Sequence, residues 1–197
     1  MRIIAGTNRG MRLFSPKGFD TRPIIDRVKE SLFSVLCKYD VIEGGIVADL
    51  FCGTGSLGME ALSRGAKCVC FVEKDRKAVE LLNRNIAKAG FVAQSKVICG
   101  NAFKIGAPGG EGFEKCGLVF VDPPYEMSYD TDADSRLGRL LERLVEQVKD
   151  KGVVVVRTSK KTKLLDEYGK LHIIDRRSWG TMNVTILQFI GADEMEQ

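Results

Sequence analysis

The 197 residues hold one histidine, one tryptophan and five prolines. No two of the six cysteines (Cys37, Cys52, Cys68, Cys70, Cys99 and Cys116) form a Cys-x-x-Cys pair. With His172 alone, a zinc site built from cysteine pairs or histidines is excluded, and no metal is expected. The six cysteines are expected to be reduced structural thiols. No stretch approaches the roughly 18 uninterrupted apolar residues of a membrane span. Met1-Arg2-Ile3-Ile4-Ala5-Gly6 lacks the apolar run of a signal peptide, so a cytoplasmic protein without membrane contact is expected. Charge of one sign is also scarce. Thirty basic residues against 26 acidic ones leave a net charge of +4, so the distribution of charge matters more than its total. There is no internal repeat and no low-complexity segment.

What is present is ordinary globular composition, 44% hydrophobic and 28% charged, enough to bury a core. Residues 2–5 and 11–14 flank Gly6-Thr7-Asn8-Arg9-Gly10 and read as a small hairpin. Residues 1–20 form a basic arm that makes one unit with a domain over 21–197. Arg2, Arg9, Arg12, Arg22, Arg27 and Lys29 crowd this first segment. Charge alone leaves two readings open, a solvated face or a phosphate-binding arm. Thr21-Arg22-Pro23 opens a predicted helix carrying Ile24, Val28, Leu32, Val35, Leu36 and Tyr39 at helical spacing, with Arg27, Lys29 and Lys38 largely off that stripe.

Apolar runs then alternate with helical patterns. Strands are predicted over 46–51, 68–72, 96–99, 118–121 and 153–156. Helices are predicted from Ser56 to Gly65, from an Asp75 cap to Gly90, and over 134–149 including Val148. Residues 106–117 read as a loop. The runs 171–176 and 183–190 flank Ser178-Trp179-Gly180 and read as an antiparallel pair, with His172 a strand residue. This alternation predicts an α/β fold, a Rossmann-like, mostly parallel sheet with helices on both faces.

Gly53-Thr54-Gly55-Ser56-Leu57-Gly58 matches G-x-G-x-x-G between a strand and a helix, with Glu73 ending the next strand. A carboxylate at Glu73 suits ribose hydroxyls. Asp49, four residues before Gly53, would set a negative charge against a dinucleotide's pyrophosphate. S-adenosylmethionine has no phosphate, and its ammonium could pair with Asp49. The loop therefore favours S-adenosylmethionine over a nicotinamide cofactor. Asn101 follows the third strand, where it either offers a carbonyl to an adenine amino group or makes a turn. Phe51, Lys74 and Ala102 complete the expected cofactor set.

Asp122-Pro123-Pro124-Tyr125 is the most informative tetrapeptide. Two prolines cannot continue a central strand, so the chain leaves the sheet at the edge where open α/β sheets bind ligands. An exocyclic amino nitrogen on a base is a poor nucleophile, its lone pair delocalised into the ring. Asp122 and the Pro123 carbonyl can accept hydrogen bonds from it and hold it in line with a sulfonium. Tyr125 can stack on a base that has left its helix.

These motifs, together with Arg2-Ile3-Ile4-Ala5-Gly6, Arg9-Gly10, Asp26 through Phe33 and Glu60-Ala61-Leu62-Ser63-Arg64-Gly65-Ala66, give the chain a family likeness over nearly its whole length. It resembles the bacterial small-subunit ribosomal RNA guanine-N2 methyltransferases, which modify guanine-966 of 16S rRNA. The resemblance implies a class I seven-stranded methyltransferase sheet with its last strand antiparallel. It implies cofactor contacts from Asp49, Gly53, Gly55, Glu73 and Asn101, catalysis by Asp122 to Tyr125, and RNA binding by the basic arm. The implied partner is 16S rRNA in the 30S subunit or a late assembly intermediate, met by a monomer. Cys52 stands where the family more often has alanine. An N6-adenine methyltransferase of DNA or RNA would use the same tetrapeptide, though too few residues follow the fourth strand for a large target-recognition domain. A non-catalytic RNA-binding protein of the same fold is the alternative from another class.

Overall fold

The computed structural model describes residues 1–15, 26–109 and 114–191. Its strands are β1 (Ile46–Leu50), β2 (Cys68–Glu73), β3 (Ser95–Cys99), β4 (Cys116–Val121), β5 (Val148–Ser159), β6 (Glu167–Tyr168), β7 (Leu171–Trp179) and β8 (Met182–Phe189). Its helices are α1 (Asp26–Leu36), α2 (Ser56–Ser63), α3 (Arg76–Ala89), α4 (Ala102–Ile105) and α5 (Arg136–Leu144).

One sheet runs in the order β3-β2-β1-β4-β5-β8-β7-β6. The first five strands are parallel, and β8 inserts antiparallel between β5 and β7. The last strand in the chain is thus antiparallel, as expected, but the sheet has eight strands rather than seven. The addition is β6, two residues paired to the edge of β7 and too short to leave a periodic signal.

β1 and β4 are buried at every residue, which explains why they read as unbroken apolar runs. Val47, Val69, Phe71, Leu118, Phe120, Val153 and Val155 pack under α1, α2 and α3 on one face. Ala48, Leu50, Val72, Val119, Val121, Val154 and Val156 pack under α5 on the other. Asp75 caps α3 through Ala78 N–H, and Gly90 ends it in the left-handed region, as predicted.

Several boundaries differ from expectation. The helix over 134–149 stops at Leu144, and Val148 belongs to β5, where it pairs with Cys116. Val148 is fully buried, and a buried apolar residue satisfies helix and strand alike. Cys116 and Gly117 leave the predicted loop to join β4. The four-residue α4, capped by Asn101, was not foreseen. The predicted helix start at Thr21-Arg22-Pro23, with Ile24, lies outside the described residues.

The hairpin exists as a single antiparallel bridge, Arg2 to Arg12, flanked by bonds from Ile3 N–H to Met11 O and Gly10 N–H to Ile3 O. It is not a free arm. Glu60, fully buried on α2, accepts the N–H groups of Ile4 and Ala5 and the Nε of Arg64. Lys29 approaches the same carboxylate at 3.2 Å and donates to Arg2 O at 2.7 Å and to Ser56 Oγ at 3.3 Å. Gly6 has φ +82° and sits against the end of α2; a Cβ there would stand 1.7 Å from Ser63 O. Asn8 donates to Ala89 O, and Asn85 binds Phe14 through both backbone groups.

Candidate active site

Four chain segments meet at the carboxyl edge of the parallel strands. After β1 the chain turns through Phe51, which has φ 59°, a left-handed conformation costly for a bulky residue and typical of functional turns. The three glycines then divide the work. Gly53 has φ 54°, and its missing Cβ leaves open space, so the backbone there can be approached closely. Gly55 has φ 83°, and a Cβ would strike Leu82 at 2.4 Å. A Cβ on Gly58 would meet the Phe71 ring at 2.3 Å, so this glycine lets α2 press onto β2.

Acidic side chains surround the loop. Asp49 is 1% exposed, and its Oδ2 accepts Gly58 N–H at 2.8 Å. Burial pushes its carboxyl up to about 7, with the carboxylates of Asp122 and Glu73 adding to the rise. A cation beside it would reverse that rise. Glu73 accepts three backbone N–H groups, from Gly53 at 2.9 Å, Lys74 at 2.8 Å and Asp75 at 2.9 Å. That uses about three of a carboxylate's four acceptor sites and fixes its orientation. No basic side chain belongs to this loop, which suits a cofactor without phosphate. The donor set fits S-adenosylmethionine: a buried carboxylate for an ammonium, a fixed carboxylate for ribose, and open backbone at Gly53.

A neighbouring cleft is lined by Phe51, Val72, Lys74, Gly100, Asn101, Ala102, Phe103, Met127 and Arg136. Phe51 and Phe103 meet edge to face at 4.8 Å, and the Arg136 guanidinium lies 5.1 Å from the Phe103 ring centre. Such walls suit a flat heteroaromatic ring. Asn101 lines the cleft, but its carbonyl accepts Phe103 N–H at 3.0 Å and caps α4. The turn-forming role is therefore real, and its amide N–H₂ is the freer group for a ligand.

The Asp122-Pro123-Pro124-Tyr125 loop leaves β4 beside this cleft, as expected. Tyr125 begins a 3-10 turn held by Met127 N–H to Pro124 O and by Ser128, whose N–H and Oγ both donate to Tyr125 O. Asp122 has one partner that sequence reasoning missed. Arg157, on the adjacent β5, donates from Nε to its Oδ1 at 2.6 Å. Burial pushes the Asp122 carboxyl up, and the Arg157 guanidinium opposes that rise. Thirty-five positions separate the pair, so no local motif signals it.

The basic residues sort differently from expectation. Arg9, Arg12 and Arg27 are exposed. Arg2 is exposed but paired with Asp26 at 2.7 Å. Arg22 lies outside the described residues. Lys29 is 1% exposed and holds the hairpin to α2, which corrects its assignment to an RNA contact: a phosphate cannot reach it. No disulfide joins the cysteines among the described residues, and burial pushes the thiols of Cys52, Cys70 and Cys116 up, away from nucleophilic use.

Comparison with known proteins agrees with this geometry. The family described as "Conserved hypothetical protein 95" matches residues 1–188. Ribosomal RNA small subunit methyltransferase D of Escherichia coli (strain K12) is 38% identical over 154 residues, 77% of this chain and 68% of that protein. YlbH of Bacillus subtilis (strain 168) is 31% identical over 191 residues, 94% of this chain and 97% of its own length. Among solved structures, yhhF from Escherichia coli superposes with a TM-score of 0.77 at 28% identity, covering 96% of this chain and 98% of that one. A hypothetical protein of Thermus thermophilus, TTHA0928, gives 0.72 at 28% identity, over 94% and 98%. The chain belongs to the conserved hypothetical protein 95 family, and it is a class I S-adenosylmethionine-dependent methyltransferase related to the ribosomal RNA small subunit methyltransferases D.

Proposed function

We propose that the protein transfers a methyl group to the exocyclic N2 amino group of a guanine in 16S rRNA, within the 30S subunit or a late assembly intermediate. One observation carries the reading: a stiff Asp122-Pro123-Pro124-Tyr125 loop stands at the end of β4, beside the glycine loop and the cleft. S-adenosylmethionine, when bound, supplies an electrophilic methyl on a sulfonium. Asp49 would hold the ammonium end of the cofactor and Glu73 the ribose, and Phe51, Lys74, Asn101 and Ala102 would flank the adenine, with Gly53 and Gly55 shaping the turn between them.

The acceptor nitrogen is activated by hydrogen bonds. The free Oδ2 of Asp122 and the Pro123 carbonyl accept its two N–H groups, which favours a localised lone pair. Pro123 and Pro124 hold those acceptors still, and Tyr125 stacks on the extruded base. The bound cofactor would supply the methyl group to this nitrogen, and the surplus proton on nitrogen would pass to water. Arg9, Arg12 and Arg27 contact phosphates. The relatives named for ribosomal RNA favour this substrate class.

The test is methyl transfer from labelled S-adenosylmethionine to unmodified small subunits, naked rRNA and duplex DNA, with product nucleosides identified by mass spectrometry. N2-methylguanosine from the ribosomal substrate is the expected product. N6-methyladenine would keep the chemistry and reject the base and partner. Asp122→Ala should lower transfer about 10²–10³-fold, by comparison with losing one transition-state hydrogen bond elsewhere, with cofactor affinity held within about threefold. Equal loss of both would remove Asp122 from catalysis.

A further inference from the structure

The second charged partner at the catalytic loop points to a role beyond the tetrapeptide. Val121 of β4 is in register with Val156 of β5, so the next residues, Asp122 and Arg157, emerge side by side at the carboxyl edge. Arg157 interrupts a buried valine run, Val153 to Val156. Its side chain is 15% exposed, and that of Asp122 is 18% exposed. The Nε to Oδ1 distance is 2.6 Å, a charge-assisted bond of short length. Oδ2 of Asp122 has no partner among the described residues. Nη1 of Arg157 is buried and also lacks a partner. An arginine kept for stability alone would have its buried donors satisfied, or would give way to an apolar residue.

We propose that Arg157 is a positioning residue for methyl transfer: its guanidinium fixes Oδ1 of Asp122, so that Oδ2 is left to the amino group of the acceptor base. This rests on the catalytic reading of Asp122 given above. The arrangement also sets the protonation state that reading needs. A carboxylic acid would present a hydroxyl and lose acceptor capacity. Two charged groups face Asp122, Arg157 from β5 and Asp49 from β1. Burial favours the protonated form, and Arg157 is the group that opposes it. Removing its charge should raise the Asp122 carboxyl further.

The experiment compares Arg157→Gln, Arg157→Met and Arg157→Lys in two ways. The first is the pH dependence of kcat on the substrate that the wild type methylates. In the two neutral variants the acid limb should move up by about one pH unit or more, with kcat at pH 7 down about tenfold and recovering toward pH 9. The KM for S-adenosylmethionine should stay within about threefold. Arg157→Lys, which keeps a charge, should hold a profile close to that of the wild type. The methionine variant suits the valine neighbours and guards against a glutamine variant that does not fold. The second readout needs no substrate: carbon-13 NMR titration of labelled aspartates, with Asp122 assigned through Asp122→Asn. Its carboxyl should titrate at higher pH in the neutral variants. An unmoved Asp122 titration, or an unmoved acid limb where Asp122→Ala is inactive, overturns the role of Arg157. A fully active Asp122→Ala overturns the reading of Asp122 itself, and the positioning role with it.

Discussion

Asp49 shows how one side chain links burial to ligand binding. Its carboxyl is pushed up to about 7, against an ordinary value of 3.8, because burial disfavours the charge. The folded state thus holds a proton that the unfolded chain releases. From about pH 4 to about pH 7 this group makes stability fall as pH rises, the reverse of a salt-bridged aspartate. An ammonium beside it favours the carboxylate, so cofactor binding near neutrality should expel that proton. Calorimetry in buffers of different ionisation enthalpy should show net proton release on binding at pH 6, falling as pH rises through about 7. Asp49→Asn should abolish the buffer dependence. A binding enthalpy that ignores the buffer at pH 6 would remove Asp49 from the ammonium site. This residue was legible before the fold was known, because the charge beside a glycine loop conflicts with a phosphate ligand. Asp122 to Tyr125 was legible for a similar reason, since two prolines force an exit from the sheet. Arg157 was not, because its meaning comes from strand register alone.

Hairpin and helix meet through a buried ion pair. Lys29 and Glu60 are 1% and 0% exposed, and burial pulls the Lys29 ammonium down while Glu60 holds it up. Four donors converge on Glu60: Ile4 N–H, Ala5 N–H, Arg64 Nε and Lys29 Nζ. Glu60→Ala would strand them together, and should cost about 3–5 kcal/mol, the usual penalty for orphaning a buried charge. Urea unfolding should show this as a lowered midpoint; a loss below about 1 kcal/mol would mean that the hairpin is not held through Glu60. The sequence-level likeness at Arg2 to Gly6 and Glu60 to Gly65 therefore has a structural basis, the docking of one element on another. Lys29 was misread because basic side chains on a helix are normally solvated. Yet it shares its face with Leu32, Phe33 and Leu36, three, four and seven positions on, which sets it among the buried residues of α1.

For the molecule as a whole, the active edge and the hairpin tip lie apart. The catalytic loop follows the carboxyl end of β4, whereas the tip is bonded to the C-terminal ends of α2 and α3 through Ser63 and Ala89. An RNA that touches both must extend across one side of the protein. Replacing Arg9 and Arg12 with glutamine should lower RNA affinity and flatten its salt dependence by about 1–2 in log–log slope, near the 0.7–0.9 expected per phosphate. Filter binding across a salt series reads this directly, and an unchanged slope would take the hairpin out of the interface. Layering and the mostly parallel sheet were readable from the alternation of apolar runs with helical patterns. The added strand β6 was not, being two residues long, and neither was the docked hairpin, which depends on contacts between distant positions.

The hairpin's partners come much later in the chain than the hairpin itself. Ile4 waits 56 positions for Glu60, Phe14 waits 71 for Asn85, and Asn8 waits 81 for Ala89. During synthesis these residues leave the ribosome well before anything exists for them to rest on. They must stay in water, with Ile3 and Leu13 uncovered, until α3 has emerged. The segment made first can therefore be secured only once α3 has followed it.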